Sequence, residues 1–296
     1  MKLGYACINS TLQAAGGITT NRGMRQKTFN ERGLPYVSEL ALQNVKDLEN
    51  IVKWNEEMGI KLFRMSSDLF PWMTFYEFEQ LPDYPMIDVY LKNIGALAKQ
   101  YGQRLTFHPS HFNALGSPNP VVVEKAINEL NKHGEIMDIM GLSATVYNKI
   151  NIHVGGAYGD KKATLNRWCD NFNKLNDSTK SRLTIENDDK ANMYSVGELY
   201  WGIHKVVGIP IVFDYYHHKF CTGGLSEQEA LLVAAKTWPK DIVQCCHYSE
   251  SRREEHLDES IRAQAHSDLI SGIIESYGLD IDVVVEAKHK ELAVLN

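Results

Sequence analysis

The chain has 296 residues, 44% of them hydrophobic and 23% charged, with a formal net charge of −6. That apolar share supports a sizeable core, and no stretch approaches the roughly 20 apolar residues of a membrane span. The lack of a Lys/Arg-rich tail argues against a polybasic nucleic-acid binder, an argument that bound cations would weaken.

The first strand is expected over residues 2–8. A polar, glycine-containing loop follows over 16–32, carrying Arg22, Arg25, Lys27 and Arg32 against a single Glu31. Leu40, Leu42, Val45, Leu48, Ile51, Val52 and Trp54 then recur at helical spacing. Gly59 stands where that helix ends. Residues 61–65 read as the second strand, 86–101 as a helix closed by Gly102, and 104–108 as the third strand. The same rhythm predicts helix 120–140 and strand 149–154, then helix 161–175 and strand 181–186, then helix 195–207 and strand 210–214. Helix 226–237 and strand 241–247, helix 259–278 and strand 281–286, and a final helix from about 287 complete it. Strands alternating with helices imply an α/β fold with a parallel sheet. No domain boundary, repeat or low-complexity tract interrupts residues 1–296, so a single (β/α)8 TIM barrel domain is expected, a fold that needs about 250 residues.

Cys7, Cys169, Cys221, Cys245 and Cys246 are odd in number and lack zinc-type spacing. A reducing compartment without disulfides is expected. The N-terminus lacks a signal-peptide apolar segment, so a soluble, intracellular protein is expected.

Short apolar runs keep ending in a metal-capable side chain: His108, His153, Glu186, Asp214 with His217 three residues on, His247 and Glu286. A parallel barrel gathers the C-terminal ends of its strands on one face. One histidine at a strand end is usually a hydrogen-bonded structural residue. Six strands delivering imidazoles and carboxylates to one place is different, because without a cation the buried charge would be costly. Asp188 and Asp189 read as solvated loop, and spacing alone leaves His266 undecided. Mixed His and carboxylate ligands suit Zn²⁺ or Mn²⁺ and metal-assisted hydrolysis of a phosphoester. Aldose–ketose isomerisation is another use of such a barrel.

Several strings carry a resemblance. They are GYACIN (4–9), TTNR (19–22), FRMSSD (63–68), HPSHF (108–112), NIHVGGAYG (151–159), LTIENDDK (183–190), FDYYHH (213–218), HSD (266–268) and EAKHKE (286–291). In order, and over almost the whole chain, they resemble the motifs of the UV damage endonuclease family. The resemblance implies a TIM barrel related to the metal-dependent abasic-site endonuclease. It implies three divalent metals, with Mn²⁺ the first expectation and Zn²⁺, Mg²⁺ or Co²⁺ as alternatives. The implied partner is damaged double-stranded DNA, met by a monomer with no membrane involved. The implied reaction is incision of the phosphodiester immediately 5′ to a cyclobutane dimer or 6-4 photoproduct, leaving a 3′-hydroxyl.

By the same resemblance His108, His153, Glu186, Asp214, His217, His247, His266 and Glu286 match metal ligands, with Glu186 bridging. Glu186, Glu286 and His247 are expected to be catalytic as well. Tyr5, Asn9, Asn21 and Arg22 are expected at the DNA. His111 and Phe112 fall at a pair that fills the gap left by extruded bases, a role an aromatic ring can serve by stacking. The chain departs from the family at Cys245, where many members have a lysine open to carboxylation. Phe75 stands where many have a histidine, and His111 where glutamine is common. An abasic-site endonuclease or a sugar isomerase would share the fold, since fold alone does not fix function. A noncatalytic binder of damaged DNA would require a broken ligand set.

Overall fold

The computed structural model describes residues 1–296. Its strands are β1 (Leu3–Ala6), β2 (Leu62–Met65), β3 (Arg104–Phe107), β4 (Ile150–Ile152), β5 (Leu183–Glu186), β6 (Ile211–Val212), β7 (Gln244–Tyr248) and β8 (Ile281–Val285). All pairings are parallel, in the order β6-β5-β4-β3-β2-β1-β8-β7. The gap between β6 and β7 closes through a bridge between Asp214 and His247, where the His247 N–H donates to the Phe213 carbonyl at 2.9 Å. The result is a TIM barrel. Each strand falls within three residues of its sequence-based bounds, the ends being shorter where pairing stops.

Period-two alternation sorts the strand residues. Phe63, Leu105, Ile150, Ile185, Ile211 and Val283 turn outward and join the main core, with Val45, Leu48, Ile94, Trp168 and Leu231 from the helical layer. Ala6, Leu62, Val212, Cys245 and Val284 form a small apolar cluster with Val146 and Trp238. Both faces of the strands are buried, yet the inward positions of several are polar: Arg104, Thr106, Asn151, Thr184, Glu186 and Asp282 alternate with the outward apolar residues.

The helices are α1 (Ser10–Gly16), α2 (Gln26–Glu57), α3 (Tyr84–Tyr101), α4 (Pro120–Ile139), α5 (Lys161–Phe172) and α6 (Asp177–Lys180). They continue as α7 (Val196–Leu199), α8 (Lys205–Val207), α9 (Tyr215–His218), α10 (Glu227–Ala235), α11 (Arg252–His256) and α12 (Glu291–Leu295). Local chemistry starts several of them. Asn119 caps α4 with Pro120 in its first turn, and Ser226 and Glu229 form a capping box at α10.

Three sequence expectations are corrected. The 16–32 loop is shorter than its polar composition suggests, because α2 begins at Gln26 and is kinked at Gly33, whose φ of 60° only glycine adopts easily. The 195–207 helix is α7 and α8 joined by a wide turn over Tyr200–His204. The 259–278 helix does not form. That segment is held irregular from outside: the Glu250 carboxylate accepts from the Ser271 and Gly272 N–H groups at 3.0 and 2.7 Å, and Ser251 bridges to His266.

Candidate metal centre

The carboxyl ends of the strands surround one mouth. Glu186, at the end of β5, sits at its centre and is fully buried. His108 Nε2 and His247 Nδ1 each lie 3.1 Å from Glu186 Oε2, and His217 Nδ1 lies 3.2 Å from Oε1. Glu286, one residue past β8, approaches His247 Nδ1 at 3.2 Å. Three overlapping groups result: His108, His247 and Glu286; His108, His153 and Glu186; and Glu186, Asp214 and His217. In each, the donor atoms lie within 4.8 Å of one another.

The local sequence explains these positions. Asp214 caps α9 by accepting the His217 N–H at 2.7 Å, which places carboxylate and imidazole on one side of a single turn. His217 Nδ1 also stands 3.0 Å from the Asn187 carbonyl. Asn151, two residues before His153 on the inward face of β4, donates to Glu186 Oε2. Gly155, at φ 99°, lets the loop after β4 press on Ala114; an added Cβ would lie 2.7 Å from the Ala114 Cβ.

Glu186 Oε1, Asp214 Oδ2 and His247 Nδ1 are buried and make no hydrogen bond of acceptable geometry. Their close approaches to one another are contacts between groups that would all bind a cation. Three carboxylates, buried Glu186 and Asp214 and half-buried Glu286, share this space, and the Arg64 guanidinium pairs with one of them, Glu286. The donor set and its open atoms therefore fit divalent cations.

Protonation follows the same crowding. Burial pushes the His108 imidazole down to about 4. Burial also opposes charge on His153, but Glu186 and Asp188 lift it to about 9. Glu186 is held well below the usual carboxylate range against its burial, chiefly by His247 and His153. Glu286 is likewise held low against burial by Arg64, while burial raises Asp214. A cation bound beside His153 would compete with the proton that Glu186 and Asp188 favour there.

Seven of the eight expected ligands are brought together in these groups. The eighth, His266, stands at the edge; its Nδ1 lies 2.8 Å from the Glu286 carbonyl oxygen and its ring 6.3 Å from that of His217. His111 and Phe112 are exposed, Phe112 by 74%, with ring centroids 4.2 Å apart. Asn21 is exposed.

Other expectations are corrected. Tyr5 and Asn9 are fully buried rather than presented to DNA. Tyr5 turns outward from β1, donates to Asn55 Oδ1 on α2 at 2.8 Å and accepts from Asn9 Nδ2 at 2.8 Å. Arg22 is folded back: its guanidinium donates to the Thr19 and Gly17 carbonyls and pairs with Asp47 at 2.7 Å. Asp188 is buried rather than solvated, with Oδ1 3.3 Å from His153 Nδ1. Phe75 is exposed and packs on Phe29 and Trp72 away from the ligand groups.

Sequence reasoning missed Arg64, Asn151 and Lys149 as parts of the site. The signal was available at 149, 151 and 153, where Lys, Asn and His alternate with isoleucine. It was obscured because an alternating strand normally turns its polar residues to water.

A closed parallel barrel with imidazoles and carboxylates converging on its mouth belongs to the class of TIM barrels equipped to hold divalent metals. Comparison with known proteins narrows this: the chain belongs to the UV-endonuclease family, whose model, described as UV-endonuclease UvdE, matches residues 1–296. It is 37% identical to a UV-damage endonuclease of Schizosaccharomyces pombe over 99% of this chain and 49% of that protein. It is 32% identical to a UV DNA damage endonuclease of Clostridium perfringens over 100% of this chain and 69% of that protein. The chain thus spans about half the length of the Schizosaccharomyces pombe relative, and also of one from Neurospora crassa. The crystal structure of SacUVDE superposes with a TM-score of 0.84 at 30% identity, covering 100% of this chain and 96% of that one. A D-psicose 3-epimerase from Clostridium cellulolyticum superposes with a TM-score of 0.58 at 15% identity, a likeness of fold alone. No helix is long and apolar enough to cross a membrane.

Proposed function

We propose that the chain is a metal-dependent DNA repair endonuclease that incises the phosphodiester immediately 5′ to UV photoproducts, leaving a 3′-hydroxyl. The carrying observation is the set of buried, unpartnered donor atoms on Glu186, Asp214 and His247 at the mouth, in a chain of the UV-endonuclease family. His108, His153, Glu186, Asp214, His217, His247 and Glu286 would hold the metals, with Glu186 shared between groups, and His266 closing the edge. Three divalent ions, with Mn²⁺ foremost, are the proposed complement. Such ions, when bound, polarise the phosphate and lower the pKa of an attacking water.

The chain's own residues have separate tasks. Arg64 keeps Glu286 ionised and fixed beside His247. Asn151 fixes Glu186 from below by donating to one of its oxygens. Phe112, exposed on the loop after β3 with His111 beside it, would enter a gap in a base stack. Asn21 remains an accessible group for a DNA contact; Tyr5, Asn9 and Arg22 serve the frame around the mouth instead.

The test is a labelled duplex bearing one cyclobutane dimer, incubated with the protein and Mn²⁺, with the cut mapped at nucleotide resolution. The expected result is one cut immediately 5′ to the dimer, abolished by a chelator. Equal cutting of undamaged duplex, or a cut at another position, would overturn the proposal.

A further inference from the structure

Lys149 enters the barrel interior from the residue just before β4 and is fully buried. Its Nζ lies 3.0 Å from Nε2 of His247, at the end of β7 on the other side of the closed interior. No carboxylate ion pair accompanies that contact. A buried amine whose side-chain partner is an imidazole is a costly choice on stability grounds alone. An apolar residue would fill the same volume, as Val212, Cys245 and Val284 do nearby.

The contact has a geometric consequence. An imidazole held at one nitrogen cannot rotate freely about its bond to Cβ. With Nε2 tied to Lys149, His247 Nδ1 is turned to the opposite side of the ring, 3.1 Å from Glu186 Oε2 and 3.2 Å from Glu286 Oε1. That nitrogen is one of the unpartnered buried atoms of the mouth. Ligating histidines generally have their second nitrogen fixed by a neighbour, and loss of that neighbour weakens metal binding about 10–100-fold. The proton between Nζ and Nε2 can reside on either nitrogen without altering this orientation.

We propose that Lys149 is a positioning residue for the metal centre, holding the His247 ring so that Nδ1 faces the space shared with Glu186 and Glu286. This rests on the reading of the mouth as a metal site. It gives the deep interior a task in the chemistry of the rim: an amine delivered from β4 sets a ligand on β7.

The experiment is calorimetric titration of Mn²⁺ into the full chain, comparing wild type, Lys149→Met, His247→Gln and the double variant, with melting followed by circular dichroism. Lys149→Met is expected to stay folded and to weaken one class of Mn²⁺ site about 10–100-fold, leaving the others at wild-type affinity. In the His247→Gln background, Lys149→Met is expected to add no further loss, because its effect passes through the ring it holds. Lys149→Gln, which keeps a polar head, is expected to fall between wild type and Lys149→Met, and carries the comparison if the methionine variant does not fold. Wild-type affinities in both Lys149 variants would overturn the proposal alone, as would additive losses in the double variant. Absence of Mn²⁺ binding by wild type would instead overturn the metal reading of the mouth.

Discussion

The barrel buries charge in two places and treats it oppositely. Below the mouth, Arg104 is fully buried with every guanidinium nitrogen in use. It donates to the Tyr147, Val243 and Val146 carbonyls at 2.7, 2.9 and 3.1 Å and meets Asp282 Oδ2 at 3.1 Å. Tyr147 and Trp238 cover its faces. At the mouth, Glu186, Asp214 and His247 are equally buried, yet each keeps an atom without a partner. The first arrangement is complete within the chain and belongs to structure. The second is left open in a way that a divalent cation would complete, and it is there that the proposed chemistry would act.

Breaking the mouth should have the larger effect on activity. Glu186→Gln keeps the shape but removes the charge at the centre of the site. Incision should fall by roughly a thousandfold or more, with melting temperature nearly unchanged in chelator. A variant cutting near the wild-type rate would remove Glu186 from the site. Breaking the lower arrangement should do the reverse: Arg104→Met leaves Asp282 buried and unpaired, and should cost about 3–5 kcal/mol of stability. Denaturant unfolding measures that loss, and metal affinity per folded molecule should not move.

Smaller effects sharpen the contrast. Phe112→Ala should slow incision of a well-stacked cyclobutane dimer about tenfold, consistent with stacking worth roughly 1–3 kcal/mol. A strongly distorting lesion should be affected less, since flipping costs least there. Equal slowing of both in single-turnover assays would show that Phe112 supports the His108 strand end.

His133 offers a control outside both regions. Burial against Phe107 lowers its imidazole from 6.5 to about 4, outweighing the contact with the Glu129 carbonyl. The folded chain therefore resists taking a proton that the unfolded chain accepts. The associated stability is present above pH 6.5 and is lost as pH falls towards 4. Between pH 7 and 5 it should amount to about 2 kcal/mol. His133→Gln should flatten that part of the pH–stability curve, and an unchanged slope would contradict the assignment. Least of all, Arg22→Ala should leave the salt dependence of DNA binding unchanged, because Asp47 already neutralises the guanidinium. A slope reduced by one phosphate contact would return Arg22 to the DNA.

The barrel and most of the candidate ligand groups were legible because both rest on short-range pattern. Apolar runs marked the strands, and the ends of those runs carried His108, His153, Glu186, His247 and Glu286. What escaped depends on partners distant in sequence. Tyr5 faces α2 because Asn55 receives its hydroxyl. Arg22 turns inward because Asp47 meets it. The 259–278 stretch reads as a helix, but Glu250 captures the backbone at Ser271 and Gly272. Lys149, just before β4, meets His247 of β7 only because the closed barrel brings both into one interior.

The most direct test of the account is anomalous diffraction at the manganese edge from crystals of the full chain grown with Mn²⁺. It predicts peaks among His108, His153, Glu186, Asp214, His217, His247 and Glu286, each within bonding distance of one of the now unpartnered atoms. No peak is expected around Arg104 and Asp282. A mouth without manganese at saturating concentration would contradict the account.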